Sequence, residues 1–259
     1  MERTCRRFCK GGEEQVGSER ENRGASRPHS RLLRLLSTDD FTALQANLEE
    51  IEGRSGQVLY HPGDHVENVY FPCGQALVSF AVAVEEDRDV QAIMVGNEGA
   101  MGGIVSRGFL PAYSRVTVRL GGPLVRLSVR KLAEAQHQSP SLRQLFARYA
   151  DCFVAQIFQS TACNAAHSVE QRAAKWIISA VEHSGGSEVR VTHEQLADFL
   201  GIGRTYTSRI IQQFRTSGLI ETGRGTLIVR QIAALHQRSC KCNFWVKKHF
   251  EEVFTATDE

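Results

Sequence analysis

No stretch of the 259-residue sequence approaches the roughly 20 consecutive apolar residues of a membrane-spanning helix. The longest apolar run, Ala76 to Val84, is broken by Ser79 and has the character of a strand, so the chain is expected not to cross a bilayer. The N-terminus lacks an apolar core for a secretory signal, which argues for a reducing cytoplasm. A disulfide framework is not expected either, because seven cysteines are an odd set and default to free thiols there. Phosphate-cradling P-loops and nucleophile elbows are absent. His193-Glu194 begins like a zinc-protease helix, but Ala197 stands where the second His is required. The composition, 42% hydrophobic and 23% charged, excludes collagen-like and wholly disordered chains.

A large charge of one sign is missing overall, yet the net +2 hides a contrast. Residues 28–167 carry 12 Lys/Arg against 14 Asp/Glu, whereas residues 190–248 carry 10 against 3. A compact segment of net charge +7 points to an anionic partner, of which nucleic acid is the commonest. A merely solvated basic face is the plain alternative.

Residues 1–27 mix Arg, Glu, Gly and Ser without apolar periodicity and read as a disordered tail. Leu32 to Leu48 has near-helical apolar spacing with Ser37 to Asp40 as a cap or break. From 51 to 130 short β-rich runs alternate with turn signals such as Pro62-Gly63-Asp64 and Gly121-Gly122-Pro123, and Glu85 to Asp89 forms an acidic hairpin tip. That rhythm predicts an antiparallel barrel or jelly roll. After Ser139-Pro140, Leu142, Leu145, Tyr149, Cys152, Phe153, Ile157 and Ser160 recur at three- and four-residue steps. The spacing predicts one helix to His167, about 40 Å long. A helix of that length on a small barrel implies a second copy as partner, and hence a homodimer; packing wholly on its own barrel is the alternative. The division is therefore 1–27 tail, 28–138 barrel with flanking helices, 139–167 dimerisation helix, 168–249 the basic C-terminal domain and 250–259 tail.

Function concentrates in 168–249. Ser168-Val169-Glu170-Gln171 and Thr192-His193-Glu194-Gln195 both have capping-box spacing. The second opens a short helix to Leu200, Gly201 supplies a tight turn, and another helix runs from about Arg204 to Ser217. Ala197 is small where these helices would cross, and Ile210, Ile211 and Phe214 mark a buried side. The other side offers Arg204, Thr205, Ser208, Arg209 and Gln212, side chains able to reach base edges or phosphates. Ile220 to Val229 then reads as a hairpin with Arg224 at its tip. Together these form a winged helix-turn-helix.

Thr161-Ala162-Cys163-Asn164, His167 to Arg172, Val191 to Ala197, Gly218-Leu219-Ile220 and Gly223-Arg224-Gly225 resemble the Crp/Fnr family of bacterial transcription regulators. Tyr70-Phe71-Pro72 and Val95 to Gly102 resemble that family's sensor barrel, so the likeness spans about residues 50–249. It implies an α+β protein with an N-terminal cyclic-nucleotide-binding-like β jelly-roll barrel, a long dimerisation helix and a C-terminal winged helix-turn-helix. It also implies a dimer on double-stranded DNA with a near-palindromic site, RNA polymerase as a further partner, no enzymatic activity and no membrane. In the family's pattern Arg204, Thr205 and Arg209 take base or nearby backbone contacts, and Thr192 a phosphate contact. Thr205 replaces a common Glu and Thr207 a common Val, so the operator does not carry over.

The likeness also implies an effector pocket at Gly99, Gly102, Gly103, Tyr113 and Arg115. In members that bind cyclic nucleotide, a Glu takes the ribose and an Arg the phosphate, because a buried phosphate must be paired. Here Gly103 falls at the Glu position, Ala112 or Tyr113 at the Arg position, and Arg115 lies out of register. The expectation is a regulator that does not depend on cAMP and carries no cofactor or metal. Two alternatives stay open. One is a redox or iron–sulfur sensor using Cys5 and Cys9, supplemented by Cys73 or Cys152. The other is a cupin-like metal enzyme at His61, His65 and Glu67 with an appended DNA-binding domain, although Gly63 denies the usual His-x-His. Cys163 reads as core, and Cys240 and Cys242 are too close together for a zinc knuckle and have no companion pair.

Overall fold

The computed structural model describes residues 27–86, 88–106, 110–184 and 186–255; the expected N-terminal tail, with Cys5 and Cys9, lies outside them but for Arg27. The chain opens with two short helices, α1 (Arg31–Arg34) and α2 (Thr38–Gln45), each N-capped by a serine hydroxyl, Ser30 and Ser37. Seven strands follow: β1 (Glu49–Gly53), β2 (Val58–Tyr60), β3 (Asn68–Pro72), β4 (Leu77–Glu85), β5 (Arg88–Val95), β6 (Arg115–Leu120) and β7 (Gly122–Ser128). They pair antiparallel throughout as two sheets, β1-β7-β3 and β2-β6-β4-β5, as the turn-punctuated β runs predict. The core between them includes Val69, Phe71, Val78, Val118, Leu124 and Leu127, all essentially inaccessible to solvent.

Strand β1 escapes sequence reading because Glu49-Glu50-Ile51-Glu52-Gly53 has no apolar alternation. It is held instead by its ladder to β7, where Glu49 lies directly opposite Arg126 and accepts its guanidinium at 2.6 Å. Helix α3 (Val129–Gln138) follows β7 and buries Val129, Leu132 and Gln136. The long helix α4 (Pro140–Ala166) starts with Pro at its first position and Ser139 as cap, both favourable at a helix start. Asp40 of α2 accepts hydrogen bonds from Ser139 and Ser141 and so ties the two helices together.

Helix α4 lies along the barrel on one face. Leu142, Phe146, Tyr149 and Cys152 are buried against it, with Phe146 edge-on to Phe71 and Phe153 edge-on to Phe80. Further along, Gln156 donates to the Met94 carbonyl at 2.7 Å and Ser160 to that of Ala92 at 2.6 Å. The other face leaves Val154, Ile157 and Phe158 exposed.

The C-terminal part comprises α5 (Val169–Ser184), β8 (Glu188–Arg190), α6 (His193–Leu200), α7 (Arg204–Thr216), β9 (Ile220–Gly223), β10 (Thr226–Val229), α8 (Ile232–Arg238) and α9 (Cys242–Thr255). Its own core gathers Ala173, Ile177, Leu196, Ile210, Phe214 and Leu235. Helix α9 is where structure and expectation part: it runs through Thr255 rather than giving way to a tail at 250. It returns to α4 and the barrel, and Phe250 joins the barrel core. Lys247-Lys248-His249 interrupts its apolar pattern, so the burial of Phe250 is decided by a surface about 100 residues away in sequence rather than by local periodicity.

At the seam between barrel and α4, the Tyr149 hydroxyl both donates to the Ala100 carbonyl and accepts from the Ala100 amide, each at 2.8 Å. Replacing Tyr149 with Phe leaves both buried backbone groups unpaired. A loss of about 1–3 kcal/mol is expected, read as a lower urea midpoint at unchanged slope.

Candidate nucleic-acid interface

Helix α6 is opened by a complete capping box. The Thr192 hydroxyl accepts from the Gln195 amide at 3.1 Å, and the Gln195 side chain accepts from the Thr192 amide at 2.9 Å. It ends in a Schellman turn: Gly201 is left-handed at φ 66°, its amide donates to the Asp198 carbonyl, and that of Ile202 to the Ala197 carbonyl. A side chain at Gly201 would be strained, which is why the turn takes Gly. The chain then enters α7 through Gly203, which has no side chain to cap the first-turn amides of Arg204 and Thr205.

Helix α7 is sharply two-sided. Thr207, Ile210, Ile211 and Phe214 are buried, and Arg204, Thr205, Arg209 and Gln212 are exposed. The Thr207 hydroxyl satisfies itself on the Gly203 carbonyl at 3.4 Å, so this Thr fills an apolar position without an unpaired polar atom. Ser208 differs from its neighbours: half-buried, it bonds His193 Nδ1 at 3.0 Å and braces α6 against α7. Gln212 reaches along its own helix to the Thr216 hydroxyl at 3.4 Å. Tyr206, 47% exposed in the first turn, adds an aromatic to this surface that the sequence pattern did not single out. Strands β9 and β10 form the wing with Arg224-Gly225 at its tip, Arg224 exposed, and β8 completes a sheet in the order β8-β10-β9. The surface thus gathers Thr192, Arg204, Thr205, Arg209, Gln212 and Arg224 from a helix start, a helix face and a hairpin tip.

The residues expected at an effector pocket are dispersed. Gly99 lies under the Tyr149 ring, Gly102 (φ 117°) packs on the Asn68 carbonyl and Gly103 faces Val129, each so closely that a Cβ would be crowded. Tyr113 is 83% exposed, and Arg115 pairs with Asp89 at 2.7 Å. The glycine-rich segment serves here as a joint. Glu98 accepts from the Gly96 amide at 3.0 Å and meets His183 of α5 at 3.4 Å, and the His183 ring occupies the space a Cβ on Gly96 would need. Two further contacts join barrel to helix-turn-helix: the Trp176 indole N–H points at the Met94 sulfur at 3.1 Å, and the Arg119 guanidinium lies 5.0 Å above the Phe199 ring. Between the two halves sits a cavity of about 390 Å³, lined by Gln91, Glu98, Gln156, Trp176 and Lys247 among others.

Cysteine placement bears on the redox alternative. Cys73 and Cys152 are buried in the barrel core, and burial pushes both thiols up to about 11, away from the reactive thiolate form. Cys5 and Cys9 are outside the described residues. His61, His65 and Glu67 do not come together as a metal-ligating group among the described residues. The reading of Cys240 and Cys242 as lacking companions needs correction: the fold brings Cys163 and His167 to them.

Comparison with known proteins agrees with this architecture. Residues 171–238 match the Crp-like helix-turn-helix domain family. A Crp-family transcriptional regulator of Thermus thermophilus is 20% identical, covering 73% of this chain and 96% of its own, with a TM-score of 0.60. FixK2 of Bradyrhizobium japonicum is 15% identical over 74% of this chain and 98% of its own, TM-score 0.59. The c-di-GMP-responsive global regulator CLP of Xanthomonas campestris is 16% identical over 74% and 99%, TM-score 0.59. No curated protein sequence matches the chain. No helix among the described residues is long and apolar enough to cross a membrane.

The Glu98–His183 pair gives the joint a pH dependence. Burial works against both charges, but the hydrogen bond and mutual attraction prevail, lowering the carboxyl from 4.5 and raising the imidazole from 6.5, with Lys247 opposing the latter. The pair's stabilisation is therefore full between those two values. It is lost as pH falls through the lowered Glu98 value, and again as pH rises through the raised His183 value. The difference in melting temperature between wild type and Glu98→Gln is expected to be greatest near about pH 5 to 6 and to shrink on both sides.

Proposed function

From a chain that carries a Crp-like helix-turn-helix domain on the fold of the Crp/Fnr transcription regulators, we propose a dimeric, sequence-specific DNA-binding regulator of cytoplasmic transcription. The observation that carries it is the split character of α7. One side is wholly committed to the domain core, and the other presents Arg204 and Arg209, both exposed and neither paired to an acid among the described residues, with Arg204 at the uncapped start of the helix. An Arg fork can take the two acceptors of guanine, and a free helix start favours phosphate. Thr192 and the wing's Arg224 flank this face as phosphate contacts.

A dimer is supported by the unburied stripe of α4. Ala147, Asp151, Val154, Phe158, Thr161 and Ala165 follow one another at alternating four- and three-residue steps, the spacing of a coiled-coil seam. Phe158 is 69% exposed in the single chain and stands beside exposed Val154 and Ile157, a contiguous apolar patch of the kind that marks an interface. Two-fold symmetry would set the recognition helices about 34 Å apart, one turn of DNA, and call for a near-palindromic site. RNA polymerase is the further partner a regulator of this kind would meet, and no catalytic role is proposed.

Independence from cAMP is supported by the fate of the expected pocket residues. The cassette's loop space is taken by Tyr149 and His183, and Arg115 is committed to Asp89. Signal reception is better assigned to the contact between barrel and helix-turn-helix, where Glu98–His183, Trp176–Met94 and Arg119–Phe199 meet around the cavity.

Selection of bound duplexes from a random pool, with and without cAMP and at two salt concentrations, should enrich one near-palindrome regardless of cAMP. Enrichment only with cAMP would overturn the independence, and no enrichment in either condition would count against the regulator. On the selected site, Arg204→Ala and Arg209→Ala should each cost about 1–3 kcal/mol and relax one base position; equal loss on all sequences would instead mark a phosphate contact. Phe158→Glu should shift the chain from dimer to monomer in sedimentation equilibrium while leaving its circular dichroism unchanged.

A further inference from the structure

The two hydrophobic cores do not account for all the buried cysteines. Cys163, Cys240 and Cys242 form a small buried cluster of their own, and His167 stands at its edge. Cys163 and His167 are one helical turn apart at the C-terminal end of α4, and Cys240 and Cys242 bracket the junction of α8 with α9. The Sγ atoms of Cys163 and Cys240 are 3.7 Å apart, and Cys242 Sγ is 3.5 Å from His167 Nδ1. All four potential ligand atoms lie within 4.8 Å of one another.

A tetrahedron with zinc–sulfur bonds of about 2.3 Å and a zinc–nitrogen bond of about 2.05 Å has edges of about 3.8 Å between sulfurs and about 3.6 Å between sulfur and nitrogen. The Cys163–Cys240 and Cys242–His167 separations fall on those edges, and since no pair exceeds 4.8 Å, shifts of about 1.2 Å or less bring the remaining pairs into register. We propose that Cys163, His167, Cys240 and Cys242 form a structural zinc site that fastens the end of α4 to the α8–α9 junction.

The surroundings fit that charge and coordination. Zinc with three thiolates and a neutral imidazole carries a net charge of −1, and the Lys175 ammonium lies 3.3 Å from Cys163 Sγ to offset it. Gln159 Nε2 lies 3.2 Å from Cys242 Sγ, a donor to the sulfur of the kind that orients metal ligands. With four protein ligands no position is left for water or substrate, so the site is of the closed, structural kind rather than a catalytic one. On binding, the three thiols give up their protons to solvent, and no oxidant or reductant is required. The ligands come in two pairs from segments far apart in sequence, so the metal would hold α9, and Phe250 with it, against α4 and the barrel. This proposal does not depend on the chain binding DNA.

The test uses the full-length chain without an affinity tag, isolated under reducing conditions. Elemental analysis should find one zinc per chain in the wild type and in Cys73→Ser, whose thiol lies in the barrel, and none in Cys240→Ser or Cys242→Ser. His167→Cys, which keeps four ligands, should retain the metal. Should the serine variants fail to fold, cobalt(II) added to wild-type protein stripped of metal supplies the second reading. A saturating visible spectrum of tetrahedral, thiolate-ligated cobalt at one equivalent supports the site. Protein isolated without zinc that gives only the pale spectrum of octahedral cobalt would overturn it. So would a mass lower by two hydrogens that maps to a Cys163–Cys240 disulfide in protein isolated under those conditions.

Discussion

The seating of one loop, Gly96 to Gly102, governs how the two halves of this protein meet. The loop is gripped from two sides: Tyr149 of α4 takes both backbone groups of Ala100, and His183 of α5 lies on Gly96 and reaches Glu98. Glycine is required at 96 and 99 because the gripping rings occupy the space of a Cβ. The loop thus touches both α4 and α5, the first helix of the C-terminal half, through the same few atoms.

The remaining contacts between the halves have mixed character. Trp176 and Phe199 stack with ring centres 4.6 Å apart inside the helix-turn-helix core, and each also touches the barrel, through Met94 and Arg119. These contacts lie around a cavity between the halves. The exposed face of α7 takes no part in them.

Helix α9 adds a second link. It leaves the DNA-binding half, crosses α4 and buries Phe250 in the barrel core, so the C-terminal segment physically bridges both domains. Its N-terminal residue, Cys242, belongs to the Cys/His cluster at the end of α4. Long helix, loop joint and C-terminal helix thus come together, while the other face of α4 leaves Val154, Ile157 and Phe158 exposed.

What the sequence determined by itself was local. The capping boxes at Ser168 and Thr192, the left-handed Gly201, the two-sided pattern of α7 and the turn-punctuated β runs each depend on residues within a few positions of one another, where spacing and stereochemistry suffice. The residues exposed on the outer side of α7 were legible for that reason, with Ser208 the exception because its hydroxyl is claimed by His193, 15 positions away. The tertiary structure alone decided what meets across long separations. It brought His183 to Glu98 over 85 positions and Cys163 to Cys240 over 77, set an acidic β1 into a ladder, and turned an expected tail into a docked helix. No periodicity encodes such pairings, since each is fixed by the packing of whole elements whose faces are complementary only once both have formed.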